Sequence, residues 1–215
     1  MRVVIDQKKT TLWTRQDIAS LRDLIQGENY RAKESAIKSW YGDITPYYLE
    51  LYQWFVKAAG QRLARPEGAI YPIWCSVSSQ YMLRPIPGTV VYELSVNLDE
   101  AVFFDGGRWD MVLNHRFVPE TPEEEAAYQK DLKEKGFPEG TTFIGEAMAR
   151  RYPAERERVI KSWERIFQAD GLDMFRLQAN LWEIRPDQVV RVSTGDGVYE
   201  KTDFLDLAQH DVAIF

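Results

Sequence analysis

Strand-like and helical segments in this chain come in runs, not in alternation, and that order constrains the fold more than any other feature. Thr89-Val90-Val91-Tyr92-Glu93-Leu94-Ser95-Val96 is the cleanest strand pattern, rich in β-branched and aromatic residues. Ala101-Val102-Phe103-Phe104 follows it closely, with no helical segment between. Earlier, Thr10–Thr14 and Ile70–Val77 also read as strands, with Pro72 placing the start of the latter at an edge or bulge. Later, Gln178–Ile184 and Val189–Val192 do the same, the last stopped by Thr194-Gly195-Asp196-Gly197. Helical patterns fill the gaps in blocks. The result is the signature of an α+β fold, not of repeated βαβ units.

The helical readings rest on periodicity and caps. Ile18, Leu21 and Ile25 share a face over Asp17–Ile25, and Gly27 stops that segment. Residues 30–41 place Ala32, Ala36, Ile37 and Trp40 on one side. Thr45-Pro46 reads as an N-cap and first helical position, opening a helix to about Ala64 with an apolar stripe of Tyr47, Leu51, Trp54, Phe55 and Ala58. Trp109–Leu113 reads as a short helix. Thr121-Pro122-Glu123-Glu124 is a capping box. The helix after it is very polar, so residues 121–142 are expected to form a solvated excursion. Val159, Ile160, Trp163, Ile166 and Phe167 give residues 154–168 a strong amphipathic pattern. Residues 204–215 are apolar enough to dock as an edge strand or short helix. The expectation is one α+β domain over 1–215, its split or mixed, mainly antiparallel sheet packed by amphipathic helices.

Composition enters as exclusion. The chain has 215 residues, 45% of them hydrophobic and 28% charged, which excludes intrinsic disorder. Its 27 basic against 33 acidic residues leave a formal charge of −6. A dedicated duplex-DNA binder would carry a basic footprint, so that function is disfavoured. The single Cys75 cannot form an intrachain disulfide, which favours a reducing compartment. No apolar run approaches 18 residues, and the first residues lack the apolar core of a signal peptide. A cytoplasmic location without membrane contact is therefore expected.

Several chemistries lack their residues. There is no phosphate-binding G-x-x-x-x-G-K-[ST] loop, no G-x-G-x-x-G after a strand and no G-x-S-x-G elbow. His115, His210 and Cys75 cannot be written into a zinc spacing, so no metal is expected. His115 is expected at a helix end or surface, Cys75 buried and inert, and Asp105 and Asp196-Gly197 in turns. The run Glu123-Glu124-Glu125 suits a helix start, where the dipole favours acid. Glu183 is different, because it sits beside Trp182 in a strand-like segment. An ionisable group there must face solvent, a partner or a ligand, and both an exposed edge carboxylate and a functional one fit.

Leu12-Trp13-Thr14-x-Gln16, Tyr71-Pro72-Ile73-Trp74, Trp109-Asp110-x-Val112-Leu113-Asn114, Lys161–Phe167 and Gln178-Ala179-x-x-Trp182-Glu183-Ile184 form a linked series. Together they resemble a bacterial family catalogued as a domain of unknown function, from about residue 10 to 193. A looser resemblance is to the ADP-ribosyltransferase superfamily, whose split α+β sheet clamps NAD. Trp13–Gln16 resembles its first strand, which carries a polar or basic residue. Tyr71–Ser76 resembles its aromatic and serine strand, and Gln178–Glu183 its Gln/Glu-bearing strand. That resemblance implies NAD held by Trp13, Thr14, Arg15, Tyr71, Trp74 and Ser76, with Gln178 and Glu183 as catalytic residues. The carboxylate would then stabilise an oxocarbenium-like centre. The competing expectation is a non-catalytic binding protein for a protein partner or single-stranded nucleic acid, using Arg150, Arg151, Arg156 and Arg158 with nearby aromatics. The interleaved Glu155, Glu157 and Glu164 equally suit a salt-bridged helix face. An enzyme would bring Trp13, Trp74 and Glu183 into one pocket.

Overall fold

The computed structural model describes residues 8–195 and 197–200, without the side chains of Ala36, Ser39, Trp40 and Tyr41. The expected docking segment 204–215, the turn residue Asp196 and part of the 30–41 helix face therefore lie outside the described residues. The strands are β1 (Lys9–Asp17), β2 (Ile73–Ser76), β3 (Thr89–Asn97), β4 (Val102–Asp105), β5 (Leu177–Leu181), β6 (Val189–Ser193) and β7 (Val198–Glu200). They form one seven-stranded sheet in the order β4-β5-β2-β1-β3-β6-β7. Every pairing from β5 through to β7 is antiparallel. The α+β class and the mainly antiparallel sheet follow directly from these pairings. The chain groups into two compact units, Met1–Phe103 with Asp173–Phe215, and Phe104–Leu172.

In the first unit, β1 and β3 pair along their whole length, from Lys9↔Asn97 to Asp17↔Thr89. On the other side, β1 meets β2 at only one register position, Trp13↔Ser76. Beyond it the two strands part, and β2 continues against β5 from Ser76↔Gln178 to Ile73↔Leu181. The pleat assigns the faces. Leu12, Ile73, Cys75, Ala179, Leu181, Tyr92 and Leu94 are buried in the main core. Leu21 and Leu24 of α1 (Ser20–Ile25) join the same core. The opposite face carries Trp13, Arg15, Trp74, Ser76 and Gln178, all half-buried. Helix α2 (Glu34–Tyr41) precedes α3 (Thr45–Gly60), whose Phe55 and Tyr52 rings lie 4.6 and 5.3 Å from Trp74.

Several helix starts differ from the sequence reading. β1 runs on through Asp17, so α1 opens only at Ser20, and α4 opens at Gly106, ahead of Trp109. Thr45 is the first helical residue, not the N-cap. Its hydroxyl donates back to the Gly42 carbonyl at 2.6 Å, which satisfies the hydroxyl locally and leaves Ile44 at the cap. Residues 30–33 are extended, not helical, because Tyr30 exchanges both backbone hydrogen bonds with Ile184, each 2.9 Å.

The second unit is helical: α4 (Gly106–Leu113), α5 (Pro122–Glu134), α6 (Glu146–Arg151) and α7 (Pro153–Trp163). Asp105 is the N-cap of α4, accepting from the Gly107 and Arg108 N–H groups, and is fully buried. It is a cap where a turn was expected, since the same Asp-Gly-Gly sequence serves both geometries. The capping box at α5 forms with a shifted partner. Thr121 accepts from the Glu124 N–H, but Glu124 accepts from the Glu120 N–H, one residue before the cap. The polar excursion is anchored by Arg158, which pairs with Asp131 at 2.6 Å and lies over the Tyr128 ring.

Candidate functional site

The parting of β1 from β2 makes the candidate site. A cavity of about 270 Å³ opens there, with Arg15 and Gln16 on one side and Pro72 and Trp74 on the other. Tyr30, Lys33 and Tyr52 complete most of its wall. Successive strand residues point to opposite faces, so Arg15 and Gln16 would normally be separated by the sheet. Both reach one cavity because the sheet is open beside them.

Side-chain hydrogen bonds replace the missing ladder. The Thr14 hydroxyl donates to the Trp74 carbonyl at 2.7 Å, bridging the two strands just past their last pairing. Gln16 Nε2 donates to Thr14 Oγ1 at 2.8 Å, and the Tyr30 hydroxyl donates to Gln16 Oε1 at 3.0 Å. Burial pushes the Tyr30 phenol up to about 12, with Asp17 and Asp23 adding to the effect, so the hydroxyl keeps its proton. Two cations border the same space. Arg15 donates to the Arg84 carbonyl at 3.1 Å, and Lys33 pairs with Asp23 at 3.1 Å. The wall is thus aromatic, cationic and amide-bearing, a composition suited to a flat, anionic small molecule.

The expected site residues separate on the structure. Arg15 and Trp74 line the cavity together. Trp13 lies on the same face but lines a second cavity of about 680 Å³ with Arg84, Glu93 and Arg191. Thr14 is buried on the core face and meets the cavity wall through Gln16 and the Trp74 carbonyl. Tyr71 is buried too, its hydroxyl donating to Glu34 Oε2 at 2.9 Å. Ser76 donates to the Tyr81 carbonyl, and Gln178 pairs with it across the ladder.

Glu183 stands apart from the cavity. It accepts from Arg31 Nε and Nη2 at 2.9 and 2.8 Å and from Asn29 Nδ2 at 2.9 Å. Trp13, Trp74 and Glu183 therefore do not converge. The physical reason is that β5 ends at Leu181, so Glu183 lies beyond the strand that was expected to run to Ile184. Trp182 turns into the protein, where its indole N–H donates to the Leu63 carbonyl at 3.2 Å.

Other sequence candidates find structural partners. Cys75 is buried, and burial pushes its thiol up to about 12. His115 follows α4 with φ of 55° and stacks on Trp163. Arg150 pairs with Glu146, and Arg158 with Asp131 and Glu155. Among the described residues, no group of three or more His, Cys, Asp or Glu side chains could hold a metal ion. No helix among them is long and apolar enough to cross a membrane.

Comparison with known families then places the chain. A family model described as Domain of unknown function (DUF3841) matches residues 11–190. The chain belongs to this family. No curated protein and no solved structure matches it. In this DUF3841 chain, the matched span takes in β2, β5 and β1 from Thr11 onward, and with them every residue lining the cavity. Gln16, Tyr30 and Lys33 were not among the site residues expected from sequence. Gln16 belongs to the Leu-Trp-Thr-x-Gln signature, which was the one available signal. Tyr30 and Lys33 carried none, because only the extended 30–33 segment brings them to the cavity.

Proposed function

We propose that the cavity between β1 and β2 binds NAD and that the chain is an ADP-ribosyltransferase-like protein. One observation carries this reading. The three segments that resemble the NAD-clamping stations of that superfamily fall on adjacent strands β1, β2 and β5, at the place where the sheet splits. Trp74 and Tyr52 provide ring faces, Arg15 and Lys33 provide charge for phosphate, and Gln16 and Tyr30 provide polar contacts. The cavity volume is near the lower end for small-molecule sites, so it suits one ring system and its sugar. The rest of a dinucleotide would extend over the same sheet face toward Trp13 and Arg191, across the Arg15–Arg84 hydrogen bond. When bound, NAD supplies a glycosidic bond whose cleavage transfers ADP-ribose or releases it to water.

The engagement of Glu183 by Arg31 and Asn29 favours a second reading, NAD binding without transfer. Charge stabilisation at the reacting sugar needs a carboxylate close to it. Among the described residues lining the cavity, none is acidic.

Thermal-shift titration with NAD⁺ tests the binding, with a mononucleotide and a short single-stranded oligonucleotide as controls. A ligand at about 100 times its Kd stabilises by about 2.7 kcal/mol. For a chain of this size that raises Tm by about 5–10 °C. Arg15→Gln should remove most of the shift. Nicotinamide release, measured on the same sample, separates transfer or hydrolysis from binding alone. No shift at millimolar NAD⁺ would sink both readings, and a shift with the oligonucleotide alone would replace them with nucleic-acid binding.

A further inference from the structure

The hydrogen bonds around Gln16 have only one consistent direction. The Trp74 carbonyl can only accept, so the Thr14 hydroxyl spends its single proton there. Thr14 Oγ1 is left as an acceptor toward Gln16, which must therefore present Nε2 to it. That orientation turns Gln16 Oε1 toward Tyr30, whose hydroxyl proton is then committed to it. The relay ends with defined groups left over: one N–H on Gln16, and lone-pair capacity on the Tyr30 oxygen. Tyr30 and Thr14 are both almost fully buried, and Gln16 and Tyr30 line the cavity.

We propose that Gln16 and Tyr30 make this cavity selective for a carboxamide over a carboxylate, with Thr14 as the positioning residue that sets the choice. This inference rests on the NAD reading and names the cofactor group the site distinguishes. A primary carboxamide offers one oxygen acceptor and N–H donors, matching the Gln16 N–H and the Tyr30 oxygen. A carboxylate offers acceptors only. It would set one oxygen against the Tyr30 lone pairs, or draw the Tyr30 proton away from Gln16 and break the relay. The cations nearby act in the opposite sense, but Lys33 is paired with Asp23 and largely exposed and Arg15 donates to the Arg84 carbonyl, so their pull on a carboxylate is reduced. The buried, oriented hydrogen bonds outweigh it, giving roughly 10- to 100-fold preference for the amide.

The experiment compares NAD⁺ with nicotinic acid adenine dinucleotide, which differs only in carrying the acid in place of the amide. Isothermal titration on the full chain should show NAD⁺ binding at least about 10-fold tighter. Thr14→Val keeps the shape of the side chain but removes the hydroxyl, freeing the Gln16 amide to flip. It should bring the two affinities within about threefold while leaving near-UV circular dichroism native. Tyr30→Phe removes both the acceptor that meets the amide N–H and the lone pairs set against a carboxylate oxygen, so it should weaken NAD⁺ and narrow its advantage over the acid. Equal binding of the two dinucleotides by the unmodified chain would overturn this inference and leave the NAD reading standing. An unchanged preference in a folded Thr14→Val protein would likewise overturn the relay. Failure of both dinucleotides to bind would overturn the NAD reading and this inference with it.

Discussion

Arg31 and Glu183 are joined by two hydrogen bonds from one guanidinium to one carboxylate oxygen, and the residue next to each takes part in the cavity wall's support. Tyr30, next to Arg31, lines the cavity, while Ile184, next to Glu183, exchanges backbone hydrogen bonds with Tyr30. The ion pair thus clamps the segment that presents Tyr30. Glu183→Gln should cost about 1 kcal/mol, discounted because Arg31 is more than a third exposed. Tm should fall by about 2–4 °C. A differential scanning calorimetry trace unchanged within a degree would show that the clamp carries no stability.

The buried thiol gives a kinetic prediction. Reactivity follows the thiolate, and burial holds Cys75 in the thiol form at neutral pH. Ellman's reagent at pH 8 should leave the native chain unlabelled and report the thiol only after addition of denaturant. Rapid labelling of folded protein would place Cys75 outside the core.

At alkaline pH, several tyrosines should titrate late and together oppose stability. Burial is the main cause that pushes Tyr30, Tyr71 and Tyr128 up to about 12, and Tyr92 is raised as well. In the unfolded chain a tyrosine ionises near pH 10. Their contribution is therefore complete below about pH 10 and is lost as pH rises through about 12, since the unfolded state releases its protons first. Urea midpoints should decline across that window, and Tyr71→Phe should flatten the decline. Phenolate absorbance rising fully by pH 11 in folded protein would contradict it.

On the acid side, the α5 cap supplies the test. The Glu120 N–H, and then Arg165, hold the Glu124 carboxyl below its ordinary value. Arg165 reaches both its oxygens, at 2.7 and 2.8 Å. A lowered carboxyl stabilises above its unfolded value, near 4.3, and loses that contribution as pH falls further. Glu124→Gln should lower Tm at pH 7 by about 1–3 °C, a modest effect because the pair is partly exposed. The difference from the unmodified chain should shrink as melts are repeated toward pH 3; a constant difference would assign the loss to something other than charge.

What sequence could supply here was local. Alternation identified β3 and β4, and the amphipathic pattern identified α7, because each is decided by residues that are neighbours in the chain. The site was half legible for the same reason. Arg15 and Trp74 lie inside strands whose partners only had to be adjacent, whereas Tyr30 depends on a two-residue bridge to Ile184, 154 positions later. Glu183 misled because the strand was read on to Ile184, whereas β5 ends at Leu181. Asp105 shows the same limit: an Asp-Gly-Gly sequence does not say whether a turn or a helix follows.

The single rung between β1 and β2 has a mechanical meaning. Nine register positions bind β1 to β3, and one binds it to β2. From β5 across to β6, that rung is the seam at which the fewest register positions join neighbouring strands. On the proposed reading, a molecule seated beside it would act as a stitch, coupling occupancy of the cavity to the pairing of the two strands. Amide hydrogen exchange in β2 would then report ligand affinity directly, while β3 stayed protected throughout.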